Sequence, residues 1–256
     1  MLGILIVGCA VLGLLIGSFL NVVIARVPEG RSIVSPPSAC PACHAPISPR
    51  DNIPVLSWLV LRGRCRHCHA PISAQYPLVE VACAALFAGT AARFGYEWVV
   101  PAFLALFAGL LALSVIDVQT LRLPKAVVYV DSIIVAALLL LATAITHTWH
   151  QFGVGVICAA VWFVLFFGLN FASPRMLGFG DVRLAPVLGL ALGWLGVGYV
   201  VLGFLAANLI GAVIGVVLIA SKRMSRNEQI PYGVFLAAGC AVAVFAGPWL
   251  LRPFHH

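Results

Sequence analysis

Stretches of about 20 apolar residues recur along the chain and leave little length for anything else. They fall at 2–24, 77–94, 98–116, 124–146, 152–171, 183–197, 198–220 and 232–250. About 20 helical residues cross a hydrocarbon core of about 30 Å. Inside that core each backbone N–H and C=O needs a partner within the segment, so continuous apolar runs become helices. A β-barrel needs alternating hydrophobicity, and these runs do not alternate. Only 9% of the residues are charged, against roughly a quarter in soluble domains. The chain reads as an all-α polytopic membrane protein with about eight transmembrane helices. The first run lacks a basic n-region and is too long for a cleaved signal peptide, so it reads as a retained transmembrane helix.

The least obvious division is at 183–220, about twice the length of one span, where Gly193, Gly196 and Gly198 supply a hairpin. The loop charges support the split. Arg26, Arg31, Arg50, Arg62, Arg64 and Arg66 fall in the first loop, and Arg122 and Lys125 in the third. Arg175 and Arg183 fall in the fifth, and Lys222, Arg223 and Arg226 in the seventh. Of the 15 basic residues, only Arg93 and Arg252 lie on the other side. This asymmetry makes the odd loops cytoplasmic. It also accounts for the net charge of +7 without a nucleic-acid partner.

Residues 25–76 form the one long polar insertion, between the first and second spans. It carries Cys40-Pro-Ala-Cys43 and Cys65-Arg-His-Cys68, with 21 residues between the inner cysteines. Two Cys-x-x-Cys knuckles can set four thiolates tetrahedrally around zinc. CPACHAPIS and CRHCHAPIS are a short internal repeat, which makes the insertion zinc-ribbon-like. Two disulfides are the competing reading, and cytoplasmic placement opposes it. A four-cysteine centre leaves no open position for water, so its role would be structural. His44, His67 and His69 read as surface residues beside the knuckles, and Cys9, Cys83, Cys158 and Cys240 as small packing residues in apolar runs.

Two carboxylates stand at the boundaries of apolar runs. Asp117 ends LFAGLLALSVID, and Asp181 closes Gly178-Phe-Gly180-Asp before another run begins. Ionisable groups at membrane depth are costly and mark functional sites. The loop count puts both on the cytoplasmic side, where they can meet. Paired carboxylates that share a proton carry out aspartic proteolysis. Gly178 and Gly180 allow a close backbone approach, with positive φ if required, and Asp181 sits near a helix N-terminus, where the dipole favours a carboxylate. The alternative is that Asp117 merely ends a helix and Asp181 caps one. Asp131 lies one to two turns inside its span. It is either a third acid near the site or the partner of a polar neighbour such as Asn208 or Ser114.

The motifs together resemble the type IV prepilin peptidases, bifunctional leader peptidases and N-methyltransferases. The resemblance rests on GSFLNVVIARVP (17–28), the two knuckles, DNIPVLSWLVLRGRCRHC (51–68), QYPLVE (75–80), IDVQTLRLP (116–124), GFGD (178–181) and IPYGVFLAAG (230–239). Lys125, Arg183 and Val234 depart from the usual pattern, and none of them is one of the two aspartates. The resemblance implies a first transmembrane helix at 1–24, a cytoplasmic, methyltransferase-associated cysteine-rich loop at 25–76, and a transmembrane aspartic peptidase domain at 77–256. It implies catalytic Asp117 and Asp181, with Gly178 and Gly180 in support, and a zinc site at Cys40, Cys43, Cys65 and Cys68. The substrate would be a prepilin or pseudopilin, cleaved at the cytoplasmic face of the bacterial plasma membrane. The new amine would then be methylated from S-adenosylmethionine. Glu80 is a candidate for methyl transfer; an interfacial pair with a nearby arginine is the competing reading.

Three other classes remain open. A preflagellin- or presenilin-like intramembrane protease shares the aspartate logic, but the cysteine loop and the NIPVLSW stretch discriminate against it. A proton-coupled transporter would carry broken helices and internal repeats near the midplane, and neither is visible. A structural zinc-ribbon membrane anchor would leave both aspartates unexplained.

Overall fold

The computed structural model describes residues 1–172, 178–222 and 230–252. Arg175, Arg223, Arg226, His255 and His256 lie outside the described residues. The helices are α1 (Leu2–Arg26), the short α2 (Leu56–Val60), α3 (Gln75–Phe94), α4 (Val100–Thr120), α5 (Lys125–Thr146), α6 (Trp149–Ala172), α7 (Phe179–Leu195), α8 (Val197–Ala220) and α9 (Tyr232–Leu250). Among the described residues, seven of these are long and apolar enough to cross a membrane. The eighth long helix, α7, has 17 residues and is buried along almost its whole length. The eight expected spans are therefore eight helices, and the protein is a multi-pass membrane protein.

Two compact units divide the chain, Met1–Tyr96 and Glu97–His256. In the first, α1 and α3 pack as an antiparallel pair. A Cβ at Gly13 would stand 2.6 Å from the Ala84 Cα, and one at Gly17 would stand 2.7 Å from the Glu80 Cα. Gly13-Leu-Leu-Ile-Gly17 is a small-xxx-small seam, which lets backbones approach closely where lipid gives helices no hydrophobic reason to associate. Between α1 and α3 the insertion is loop, a single 3₁₀ turn at Pro49–Asp51, and α2. The Trp58 indole N–H donates to the Ile72 carbonyl at 3.1 Å.

In the second unit, α4 is deeply buried and packs on α5 and α9, while α7 packs against α5, α6, α8 and α9. Small residues again set the spacing. A Cβ at Gly189 would reach the Cys158 carbonyl at 2.7 Å, and one at Gly193 the Gly155 Cα at 2.9 Å, both across α6 and α7. The hairpin between α7 and α8 is a single residue, Gly196, at φ 130° and ψ 156°, a conformation open almost only to glycine. The split expected at 183–220 is thus made by Gly196, while Gly193 packs helices and Gly198 lies inside α8.

The helix ends move both aspartates off the loops. α4 continues to Thr120, so Asp117 lies in its last turn. α7 starts at Phe179, so Asp181 lies in its first turn. Asp131 is buried in α5 with its Oδ2 unpartnered among the described residues. It packs where a Cβ on Gly109 would overlap its carboxyl group. Asn208 is no partner for it, because the Asn208 Oδ1 accepts from the Tyr232 hydroxyl at 3.3 Å.

Candidate functional site

Asp117 and Asp181 are both buried, at 5% and 7% exposure. Each is held by the N-terminus of a helix. α9 starts after Pro231, so the backbone N–H groups of Gly233 and Val234 have no partner within their own helix. Both donate to the Asp117 carboxylate, Gly233 to Oδ2 at 3.0 Å. Asp117, from the end of α4, thereby caps a helix 116 positions later. Val234 departs from the family pattern only in its side chain; the contact it makes here uses its backbone.

Asp181 is the third residue of α7. Its backbone N–H donates to the Gly178 carbonyl at 3.1 Å, and its carboxylate accepts the Gly178 N–H. The carboxylate-to-N-cap bond is one half of a capping box, and the Gly178 carbonyl takes the place of the missing N-cap side chain. Asp117 is close enough for its charge to act on Asp181. Asp117 does lie at a helix end, but Asp181 is the third residue of α7, whose N-cap is Gly178, and these positions make the two buried carboxylates neighbours. Arg183 takes no part in an ion pair with Asp181 among the described residues. Its guanidinium lies 4.7 Å from the Phe179 ring centroid and 6.0 Å from that of Tyr129.

Leu123 joins the two halves. A Cβ at Gly180 would stand 2.8 Å from the Leu123 Cβ. A Cβ at Gly233 would stand 3.2 Å from both Leu123 methyl carbons and 2.9 Å from the Asp117 Oδ2. Gly180 is thus required for space; neither it nor Gly178 has positive φ. Leu123 and Gly233 were not singled out in the sequence, although the Pro-Tyr-Gly before the last apolar run is a visible helix-start signal. Gly180→Ala and Gly233→Ala should each destabilise the second unit by about 1–3 kcal/mol, the cost of overpacking a fitted contact. Adding Leu123→Ala should restore most of the loss in Gly180→Ala and less in Gly233→Ala, whose new methyl also meets Asp117. Thermal unfolding of the two single and two double variants measures this coupling.

The cysteine-rich insertion folds the sequence repeat into a structural one. In the first knuckle the Cys40 N–H donates to the Ala45 carbonyl and the His44 N–H to the Cys40 carbonyl, both at 2.9 Å. In the second, Cys65 donates to Ala70 at 2.9 Å and His69 to Cys65 at 3.0 Å. His44 and His69 take the same left-handed conformation, φ 57° and 58°. Isolated bridges Ala39–Pro46 and Arg64–Pro71 close the two turns.

The four sulfurs of Cys40, Cys43, Cys65 and Cys68 lie within 4.8 Å of one another, and those of Cys40 and Cys68 are 3.8 Å apart. A tetrahedral centre with zinc–sulfur bonds of about 2.3 Å has edges of about 3.8 Å, so the cluster fits a metal ion of that size. The thiols also divide their protons unevenly. N–H groups of Cys43 and Ala42 lower Cys40 to about 6. Cys68 accepts from the Ala70 N–H, yet desolvation and the neighbouring thiols push it up to about 11. Four thiols this close cannot all ionise without a cation among them. Arg66 makes a bidentate pair with Asp51, from Nε to Oδ2 at 2.9 Å and from Nη2 to Oδ1 at 2.5 Å. That contact holds the Asp51 carboxyl below its ordinary value.

Glu80 is buried in the first turns of α3. It accepts the Val55 N–H at 2.7 Å and a bond from the Ser18 side chain. The interfacial arginine pairing considered for it is absent among the described residues.

The comparisons with known proteins follow the two units. Residues 11–94 match the Bacterial Peptidase A24 N-terminal domain, and residues 104–247 match the Type IV leader peptidase family. A prepilin leader peptidase/N-methyltransferase of Burkholderia pseudomallei is 37% identical, over 93% of this chain and 84% of its own length. Proteins of the same description from Stutzerimonas stutzeri and Pseudomonas aeruginosa are 36% and 33% identical. They cover 93% and 95% of this chain, and 90% and 91% of their own lengths. No solved structure matches. With one family spanning residues 104–247 and relatives alike over nearly the whole length, the chain belongs to the type IV leader peptidase family.

Proposed function

We propose that this protein removes the basic leader of a type IV prepilin or pseudopilin by aspartic catalysis, then methylates the new N-terminal amine from S-adenosylmethionine. The observation that carries the peptidase reading is the pair Asp117 and Asp181, both buried, neighbouring, and each fixed by a helix N-terminus. One carboxylate takes a proton from water, and the other, protonated, donates to the scissile carbonyl oxygen. Two backbone N–H donors suit Asp117 to carry the negative charge, which leaves Asp181 to hold the shared proton. The pair titrates as one unit.

The charge asymmetry of the loops supports a cytoplasmic site. A prepilin with its apolar helix in the bilayer and its basic leader in the cytoplasm presents the scissile bond at that boundary. The relatives' names and the cysteine-rich insertion support the methyltransferase half. We place zinc at Cys40, Cys43, Cys65 and Cys68, where it would cross-link the two knuckles as a closed structural centre.

The test is to incubate the purified protein in detergent with a prepilin and S-adenosylmethionine, with mass spectrometry of the product. The expected product lacks its leader and carries one added methyl group. An uncut prepilin, with the zinc-loaded protein folded, would overturn the peptidase reading. A cut but unmethylated product would overturn the methyltransferase half alone.

A further inference from the structure

Beneath the insertion, where α1 and α3 pack, the polar residues Ser18, Asn21 and Glu80 lie within about one helical turn of one another. Glu80 is 7% exposed and Asn21 is 4% exposed. Gly17 lies against the Glu80 Cα, Ser18 bonds to the Glu80 carboxylate, and Asn21 is one helical turn further on. The Asn21 Nδ2 donates to the Tyr76 carbonyl at 3.1 Å, one turn before Glu80 on α3. Its Oδ1 has no partner among the described residues. A buried acceptor without a donor is costly, and a ligand N–H bonded to it would remove that cost.

The loop above is held in an unusual state. Val55 has φ 62° and ψ −50°, which for a β-branched residue is a genuine outlier. Such strain is costly and concentrates at functional sites. Here the strained residue presents its N–H to Glu80.

We propose that Glu80, Asn21 and Ser18 form the binding site for the primary amine that is methylated, with Glu80 as the base. The inference rests on the methyltransferase reading above. An ammonium has three N–H donors and no acceptor. The site offers a carboxylate and an amide oxygen unpartnered among the described residues, which match it, and the Val55 N–H occupies only the Glu80 Oε2. In the reaction, the ammonium gives one proton to the Glu80 carboxylate. The freed nitrogen lone pair forms a bond to the sulfonium methyl group, the methyl–sulfur bond breaks, and its electron pair stays on sulfur as a thioether. The product is a secondary ammonium, and the proton on Glu80 passes to solvent.

The test uses transfer of labelled methyl from S-adenosylmethionine to a mature pilin with a free N-terminus, catalysed by the full-length, zinc-loaded protein. Glu80→Gln keeps an oxygen for the Val55 N–H but removes the charge and the base. Its methylation kcat should fall about 100-fold or more, the scale of general base catalysis, while leader cleavage continues and reports a folded protein. Asn21→Ala should instead raise KM for the amine about tenfold or more, with a smaller change in kcat. Wild-type rates from Glu80→Gln overturn the base assignment. An unchanged KM in Asn21→Ala overturns the amine site. Should Glu80→Gln lose cleavage as well, Ser18→Ala supplies the reading: a raised KM supports the site and an unchanged one overturns it. No methylation by the wild-type protein is a failure of the underlying reading and is seen as such in the same assay.

Discussion

Asp117→Asn and Asp181→Asn should each lower the rate of leader cleavage by about a thousandfold or more, and leave the protein in the membrane. Positioned proton transfer contributes about 10²–10⁴-fold, and cleavage needs both aspartates at once, one to take the proton from water and the other to give a proton to the carbonyl. A thousandfold loss is about 4 kcal/mol of transition-state stabilisation. The double variant should be no slower than the worse single variant, because residues that act as a unit lose the activity once. Asparagine keeps an oxygen for the Gly233 N–H, and in Asp181→Asn one for the Gly178 N–H, so the caps survive and the loss is chemical. The measurement is the single-turnover rate of prepilin cleavage in detergent, beside a thermal unfolding curve for each variant. Full processing by both single variants would sink the dyad. Additive losses in the double variant would mean two independent roles in place of one shared proton.

The ends of the helices, more than their number, carry what the sequence concealed. Eight spans follow from apolar length, because the bilayer sets that length physically. The break at Gly196 was legible too, as a glycine amid an apolar run of twice the needed length. Asp117 and Asp181 were legible as charges that a membrane chain holds only at a cost. Their surroundings were not. The bond from Gly233 to Asp117 spans 116 positions, and no local pattern encodes a capping partner supplied by another helix. Leu123 reads as an ordinary loop leucine until two glycines prove to have no room for a methyl group beside it. Polar residues at span edges, such as Asn21, resemble boundary markers, and only the structure reveals an amide oxygen without a donor among the described residues. Val55 is the sharpest case, since valine argues against positive φ from sequence alone. The knuckles are the opposite case, because a nine-residue repeat folds locally and shows itself in the sequence.

Loss of any one of Cys40, Cys43, Cys65 or Cys68 should remove the zinc proposed for that cluster and unfold the insertion. The insertion has no strand and only a five-residue helix among its described residues. Its hydrophobic groups are largely exposed, including Ile33, Val34, Ile47, Leu56 and Leu59. A stretch of that kind has little apolar burial of its own to offset chain entropy. A structural zinc in small peptides is worth an apparent 10–16 kcal/mol or so, far more than its few hydrogen bonds. Cysteine-to-serine variants should therefore fall from about one metal per chain to near none by elemental analysis. Limited proteolysis should cut them within 30–74 while α3 and the second unit stay intact. Methyl transfer should fall with the metal, because Val55, which meets Glu80, belongs to the same insertion. Cleavage at Asp117 and Asp181 should fall less, since their capping contacts all come from Glu97–His256. A chelator acting on the wild-type protein should reproduce both effects, and returning zinc should reverse them. Equal loss of cleavage and methylation would show instead that the insertion serves the peptidase directly.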